Sequence, residues 1–286
     1  MNRIVLGTVQ FGTNYGINNI SGQVSPEEVC TILTIASQKG INTLDTSSAY
    51  GTSEQTLGNA LKKTGLKFNI VSKYPKSEVG VRDTFMKSLN NLGVEKLYGY
   101  LEHHFGFYQE HPETFDEMRR MKEEGYIQKI GFSLYNPEQL QYLYDKNVQF
   151  DILQFPYNIF DRQFEPYMDQ LCKDNVEVHT RSAFLQGLFF MDITSLPDQL
   201  VPLKGNLDKL HQYCKSRNLS VESLALGYVL HNTYVQGSLI GVDNHHQLEN
   251  NLKVASVKLK EEDIEFIKSI EIKEKKLLNP VNWKKL

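Results

Sequence analysis

The sequence predicts one α/β domain, a single (β/α)8 barrel of the TIM type spanning residues 1–286. Three observations carry this. Eight short runs rich in Ile, Val, Leu and aromatics recur along the chain, as strands buried on both faces of a parallel sheet do. Amphipathic stretches with helix start and stop signals alternate with them. No Pro/Gly/Ser-rich linker or low-complexity segment divides the chain, and its 286 residues suit one such barrel. The competing architecture is a doubly wound open sheet. It lacks support, because the GxG element of a dinucleotide-binding open sheet is missing.

The elements follow in order. "RIVLGTV" reads as the first strand. "SPEEVCTILTIASQKG" reads as a helix, with Ser25 as N-cap, Pro26 in the first turn, early glutamates and a terminal glycine. "INTLDT" is the second strand, and an amphipathic stretch follows the glycine after Tyr50. "KFNIVSK", "KLYGYLEH" and "IQKIGFS" are the third to fifth strands. "NPEQLQYLYDKN" repeats the cap-and-proline device with Asn136 and Pro137. "FDILQF" and "VEVHTRS" are strands six and seven, and the long stretch 184–206 after them reads as a lid. "SVESLALGYVL" starts a helix at Ser220, "GSLIGV" is the last strand, and Asp243 or Asn244 caps the helix beyond it.

Composition narrows the function. A net charge of -3 with no long basic run gives nucleic-acid binding no electrostatic support. No segment is apolar enough to span a membrane, and the N-terminal run is too short for a signal peptide. Cys30, Cys172 and Cys214 lie far apart, which fits free thiols in a reducing compartment. A cytoplasmic location is therefore expected.

In a barrel of this kind the active site lies at the C-terminal ends of the strands. There the second strand places Asp45 with Tyr50 in the loop after it, the third Lys73, and the fourth Glu102-His103-His104. Each alone has an ordinary structural explanation. Together they suit carbonyl reduction: an ammonium favours the ionised phenol, a carboxylate holds the ammonium, and an imidazole orients a carbonyl.

These residues carry a family resemblance. "LGTVQFG", "GINTLDTSSAYGTSEQTLGNAL", "IVSK", "YGYLEHH", "GYIQKIGFSLYNPEQL", "DILQFPYN" and "RSAFLQGL" follow one another as in the aldo-keto reductases, which the chain resembles over nearly its full length. The resemblance implies Asp45, Tyr50, Lys73 and His103 as the catalytic set. Tyr50 is then the general acid that Lys73 makes more acidic, and His104 is a neighbour of His103. It also implies a nicotinamide cofactor extended across the barrel mouth, which explains the missing GxG.

By motif, Gly7, Thr8 and Asp45 border that cofactor, and Ser133 and Gln154 take the carboxamide. Arg181 stands where many members stack a tyrosine on the nicotinamide, and Leu134 stands where many have asparagine. Ser182, Phe184 and Gln186 follow in the pyrophosphate segment. Gly241 and Gln247 occupy the places of the Lys and Arg that grip a 2′-phosphate, with Asp243 beside them and Asn251 matching an adenine contact. NADH, or dual use of NADH and NADPH, is expected; Lys204 or Lys253 are the cations that would reverse this.

The substrate is expected to be a small aldehyde or ketone. A surface-sugar carbonyl is suggested by likeness to bacterial members, with Phe11, Tyr15, Tyr74, Phe105, Phe107, Tyr157 and Phe160 near the pocket. The tail, about 272–286 with Trp283, is expected over the barrel mouth. Two other readings stand beside reduction. One is a cofactor-binding redox sensor with little turnover. The other is a metal-dependent hydrolase or isomerase using Asp45, His103, His104 and His179.

Overall fold

The structure, a computed structural model, describes residues 2–17, 19 and 21–283. Eight parallel strands close into a barrel in chain order: β1 (Ile4–Gly7), β2 (Thr43–Asp45), β3 (Asn69–Tyr74), β4 (Leu97–Glu102), β5 (Ile127–Ser133), β6 (Ile152–Pro156), β7 (Glu177–Arg181) and β8 (Gly237–Gly241). Six of the eight expected runs contain their strands whole, while β3 and β6 each run one residue further, to Tyr74 and Pro156. The seam closes where Ile4–Gly7 pairs with Ser238–Gly241. Arg3 braces it, its guanidinium donating to the carbonyls of Leu230, Asn232 and Val235.

The helices begin where cap chemistry says they should. Ser25, Asn136, Ser220 and Asn244 each accept a backbone N–H from three residues on, starting the helices Pro26–Gln38, Pro137–Asp145, Val221–His231 and His245–Val254. At the last of these Asn244 is the cap, not Asp243.

Side chains alternate along each strand, so every second one points into the barrel. The interior is layered. Val71, Leu101 and Ile152 make a fully buried apolar layer. Near the N-terminal strand ends lies a charged cluster, in which Glu177 accepts from Tyr98, Lys129 and His179. At the C-terminal ends lie Asp45, Lys73 and Gln154, all buried. The apolar layer separates the two polar groups, so the upper one faces the barrel mouth. Among the described residues no helix is long and apolar enough to cross a membrane.

Candidate active site

Tyr50 is held by two glycines. Its turn lies flat on the turn after β1: a Cβ on Gly12 would meet the Tyr50 carbonyl oxygen at 2.0 Å, and one on Gly51 (φ +56°) would meet the Gly12 oxygen at 2.4 Å. Only glycine permits that approach. Ser53 pins the same loop by donating to Thr8 O at 2.7 Å.

Asp45 ends β2 with both oxygens engaged. Lys73 Nζ donates to Oδ1 at 2.5 Å and Gln154 Nε2 to Oδ2 at 2.7 Å. Lys73 also donates to Thr46 O at 2.9 Å and is wholly buried. Burial pulls its pKa below the ordinary lysine value, against the upward pull of Asp45. Its ammonium lies 5.2 Å from the centroid of the Tyr50 ring. His103 meets that ring edge-on at 5.7 Å. The structure thus gathers the four expected catalytic residues. His103 faces Tyr50, while the exposed His104 stacks behind it at 4.9 Å.

The electrostatics differ from the expectation that Lys73 acidifies Tyr50. The phenol is held above its ordinary value, first by burial and then by the Asp45 carboxylate, and Arg181 is the cation that pulls it down. Asp45 touches the Lys73 ammonium and cancels much of its field. Tyr50 therefore stays protonated, as a proton donor must before it acts. Burial, then Lys73, lower His103 to about 2, so its imidazole is neutral. Ser47 Oγ accepts from Ala49 N at 3.2 Å and sits 3.1 Å from His103 Nδ1. Its proton is free for Nδ1, which favours an Nε2–H donor on the other side of the ring.

A cavity of about 380 Å³ opens from this group. It runs from Asp45, Tyr50 and Gln154 past Arg181, Ser182, Phe184 and Gln186 to Gly241, Asp243, Gln247 and Asn251, with Gly7 and Thr8 also in its lining. Of the residues expected to hold a cofactor, only Ser133 does not line it; Ser133 is buried beside Gln154 in the β5–β6 register. The Gln154 amide nitrogen is committed to Asp45, which leaves its oxygen without a partner among the described residues. Arg181 does not lie open as a stacking platform. It reaches across β6, donates to Leu134 O at 3.1 Å and covers the Tyr135 ring at 4.3 Å. The loop after β7 holds Ser182, Leu185 and Gln186 at positive φ, a costly conformation for residues with side chains. Lys204 and Lys253 are exposed and do not line the cavity.

A second cavity, of about 340 Å³, is lined by Tyr135 together with Lys76, His104, Phe105, Phe107, Glu110 and Gln139. Of the other expected aromatics, Phe11, Tyr74, Tyr157 and Phe160 are buried in the core. Tyr15 lines the main cavity instead, its hydroxyl accepting from Gln186 at 2.8 Å. No described residue of 272–283 lines either cavity, and Trp283 donates to Leu277 O within the tail. The His179 of the metal-centre reading lies in the charged cluster at the opposite end of the barrel, paired with Glu177.

Three features escaped the sequence. Gln10 packs its amide against Gly241, where a Cβ would come within 2.5 Å of it. Glu28 accepts from His245 N at 2.5 Å and Nδ1 at 2.8 Å, at the start of the last barrel helix. Glu102, one residue before His103, is buried and accepts from Thr114 at 2.6 Å, while its second oxygen has no partner among the described residues. Burial pushes its carboxyl up to about 7.

The cavity lining suits a dinucleotide. Gly7 and Gly241 leave the strand ends bare of side chains, and Gln10 Oε1 and Asp243 Oδ1 are buried acceptors lacking donors, which ribose hydroxyls supply. A closed parallel barrel, with a buried carboxylate–ammonium pair beneath a protonated phenol at the head of such a cleft, defines a barrel oxidoreductase. The chain belongs to the aldo/keto reductase family, whose model matches residues 3–272; it is an NAD(P)H-dependent oxidoreductase acting on small carbonyl compounds. It is 25% identical over 312 aligned positions to an NADH-specific methylglyoxal reductase of Escherichia coli (strain K12), covering 94% of each. It is 24% identical over 271 positions to an L-galactose dehydrogenase of Arabidopsis thaliana, covering 86% of this chain and 83% of that one. Among solved structures, an aldo-keto reductase from Bacillus halodurans in its holo form superposes with a TM-score of 0.76 at 20% identity, over 95% of this chain and 94% of that one.

Proposed function

We propose that this chain reduces a small aldehyde or ketone with NADH as the preferred cofactor, Tyr50 supplying the proton. The observation that carries this is the Tyr50 ring, set at the cavity between the Lys73 ammonium at 5.2 Å and the neutral His103 imidazole at 5.7 Å. A dihydronicotinamide held along the cleft by Gln154, Ser182 and Gln186 would supply a hydride, that is one proton with two electrons, to the carbonyl carbon. Tyr50 gives its proton to the carbonyl oxygen, completing the alcohol, and the tyrosinate then regains a proton from solvent. His103 orients the carbonyl through its Nε2–H. Asp45 fixes Lys73 beside the Tyr50 ring and balances most of its charge.

Several features support NADH. The far end of the cleft offers Asp243 and the unpaired acceptor of Gln10, with Glu28 close behind. Carboxylates and acceptors suit ribose hydroxyls and oppose a 2′-phosphate. The relative from Escherichia coli is described as NADH-specific, which points the same way. The second cavity offers Lys76, His104, Glu110 and Gln139, groups that suit a hydroxyl-bearing carbonyl such as a sugar.

The test is Tyr50→Phe. NADH binding, followed by fluorescence, should survive, and steady-state NADH oxidation with aldehydes and keto-sugars should fall by about 10²–10⁴, the usual contribution of general acid catalysis. Near-normal reduction by the variant would remove Tyr50 from the chemistry. Parent protein that binds NADH yet oxidises none across the panel would favour a redox sensor.

A further inference from the structure

We propose that Arg181 makes the catalytic end of the cleft discriminate the redox state of the cofactor, its unpaired guanidinium disfavouring the positively charged oxidised nicotinamide relative to the neutral reduced ring. This rests on the reductase reading above and assigns a task to a residue that reading leaves idle.

The charges at this end of the cleft can be counted. Asp45 and Lys73 are in contact and cancel. His103 is neutral. Arg181 lines the same cavity and has no carboxylate within ion-pair distance among the described residues; its recorded partners are a carbonyl, Leu134 O, and the Tyr135 ring. Asp161 is buried nearby, accepts from Gln163 and feels the Arg181 charge, but it does not line the cavity. Among the groups that line this end of the cavity, Arg181 is the charge left unbalanced, fixed in place by the carbonyl bond and the stack and only partly exposed to solvent.

The position of the ring follows from the chemistry. Hydride must reach the carbon whose oxygen takes the Tyr50 proton, so the nicotinamide has to lie at the Tyr50 end, where Arg181 is. Hydride loss leaves the ring with a full positive charge. Two unit charges several ångströms apart in a partly buried site repel enough to change relative affinity on the order of tenfold. The reduced form pays nothing of this kind. A site so charged loads NADH in the presence of excess NAD⁺ and releases NAD⁺ readily. By linkage, the same charge opposes ring oxidation on the protein, so its value lies in loading and release.

The test measures dissociation constants of NADH and NAD⁺ by calorimetry for the parent, Arg181→Met and Arg181→Lys. The parent should bind NADH more tightly than NAD⁺. Arg181→Met should shrink that ratio by about tenfold, chiefly by tightening NAD⁺. Arg181→Lys keeps the charge and should keep the ratio to within about threefold. A parent ratio at or below one overturns the inference whether or not the methionine variant folds. So does a methionine variant that shifts both constants by one factor, because a group that only packs or positions the ring acts on both forms alike. If neither form binds the parent, the cofactor reading itself falls. If both bind and carbonyls are reduced, with the ratio unmoved by Arg181→Met, only the role of Arg181 does.

Discussion

Glu102 separates what a residue type suggests from what its surroundings impose. It stands next to His103 yet points away from the cavity, toward Thr114 on the helix Glu113–Glu123. Burial holds its carboxyl at about 7, against 4.5 for the free group. A folded-state pKa raised for an acid means that the native state holds a proton the unfolded chain has lost. Stability from this group is therefore complete below about pH 4.5 and is lost as pH rises through about 7. At ~1.4 kcal/mol per unit the loss approaches about 3 kcal/mol above that range. Glu102→Gln removes the titration, so thermal melts should show the variant gaining on the parent between pH 5 and 8. An equal gap at both pH values would show that Glu102 does not titrate there. Nothing in "YGYLEHH" separates Glu102 from an ordinary strand-end acid. Its burial depends on Thr114, in another element. The His103–His104 ambiguity has the same origin, since only the Ser47 and Tyr50 contacts distinguish the two rings.

At the scale of elements, the proposed preference for NADH turns on the N-terminus of the helix His245–Val254. Its cap was readable from the local pattern to within one residue, Asp243 or Asn244, because the capping bond spans three residues; the structure makes it Asn244. Glu28 was not, because it arrives from a helix 217 positions away in sequence. Burial raises the Glu28 carboxyl, but its bonds from His245 outweigh this and hold it below the usual range, so it is charged at neutral pH. A free helix start attracts phosphate; here Glu28 occupies part of it and Asp243 stands beside it. Asp243→Arg should raise NADPH affinity by roughly tenfold or more, with little change for NADH, and Glu28→Gln should add to the gain. Fluorescence titration of both cofactors checks this. A parent that already prefers NADPH would place a cation beside Gly241, Asp243 and Gln247, at the end of the cavity opposite Arg181.

For the whole molecule, the barrel was legible because a parallel strand covered on both sides must be apolar along its length, and each of the eight runs advertised itself separately. The closed order β1 to β8 then follows from alternation with helices. What alternation could not give is the character of the closure. The closing pairing of β1 with β8 runs over four residues, and Arg3 braces it by holding the loop before β8 by its carbonyls. A closed sheet has no unpaired edge. Parting the seam creates two at once, each a row of free N–H and C=O groups ready to recruit another chain. Arg3→Ala should therefore reveal itself less in the melting midpoint than in self-association. Light scattering on slow heating should begin several degrees earlier than in the parent, in proportion to protein concentration, and an unchanged onset would mean that the ring first opens elsewhere.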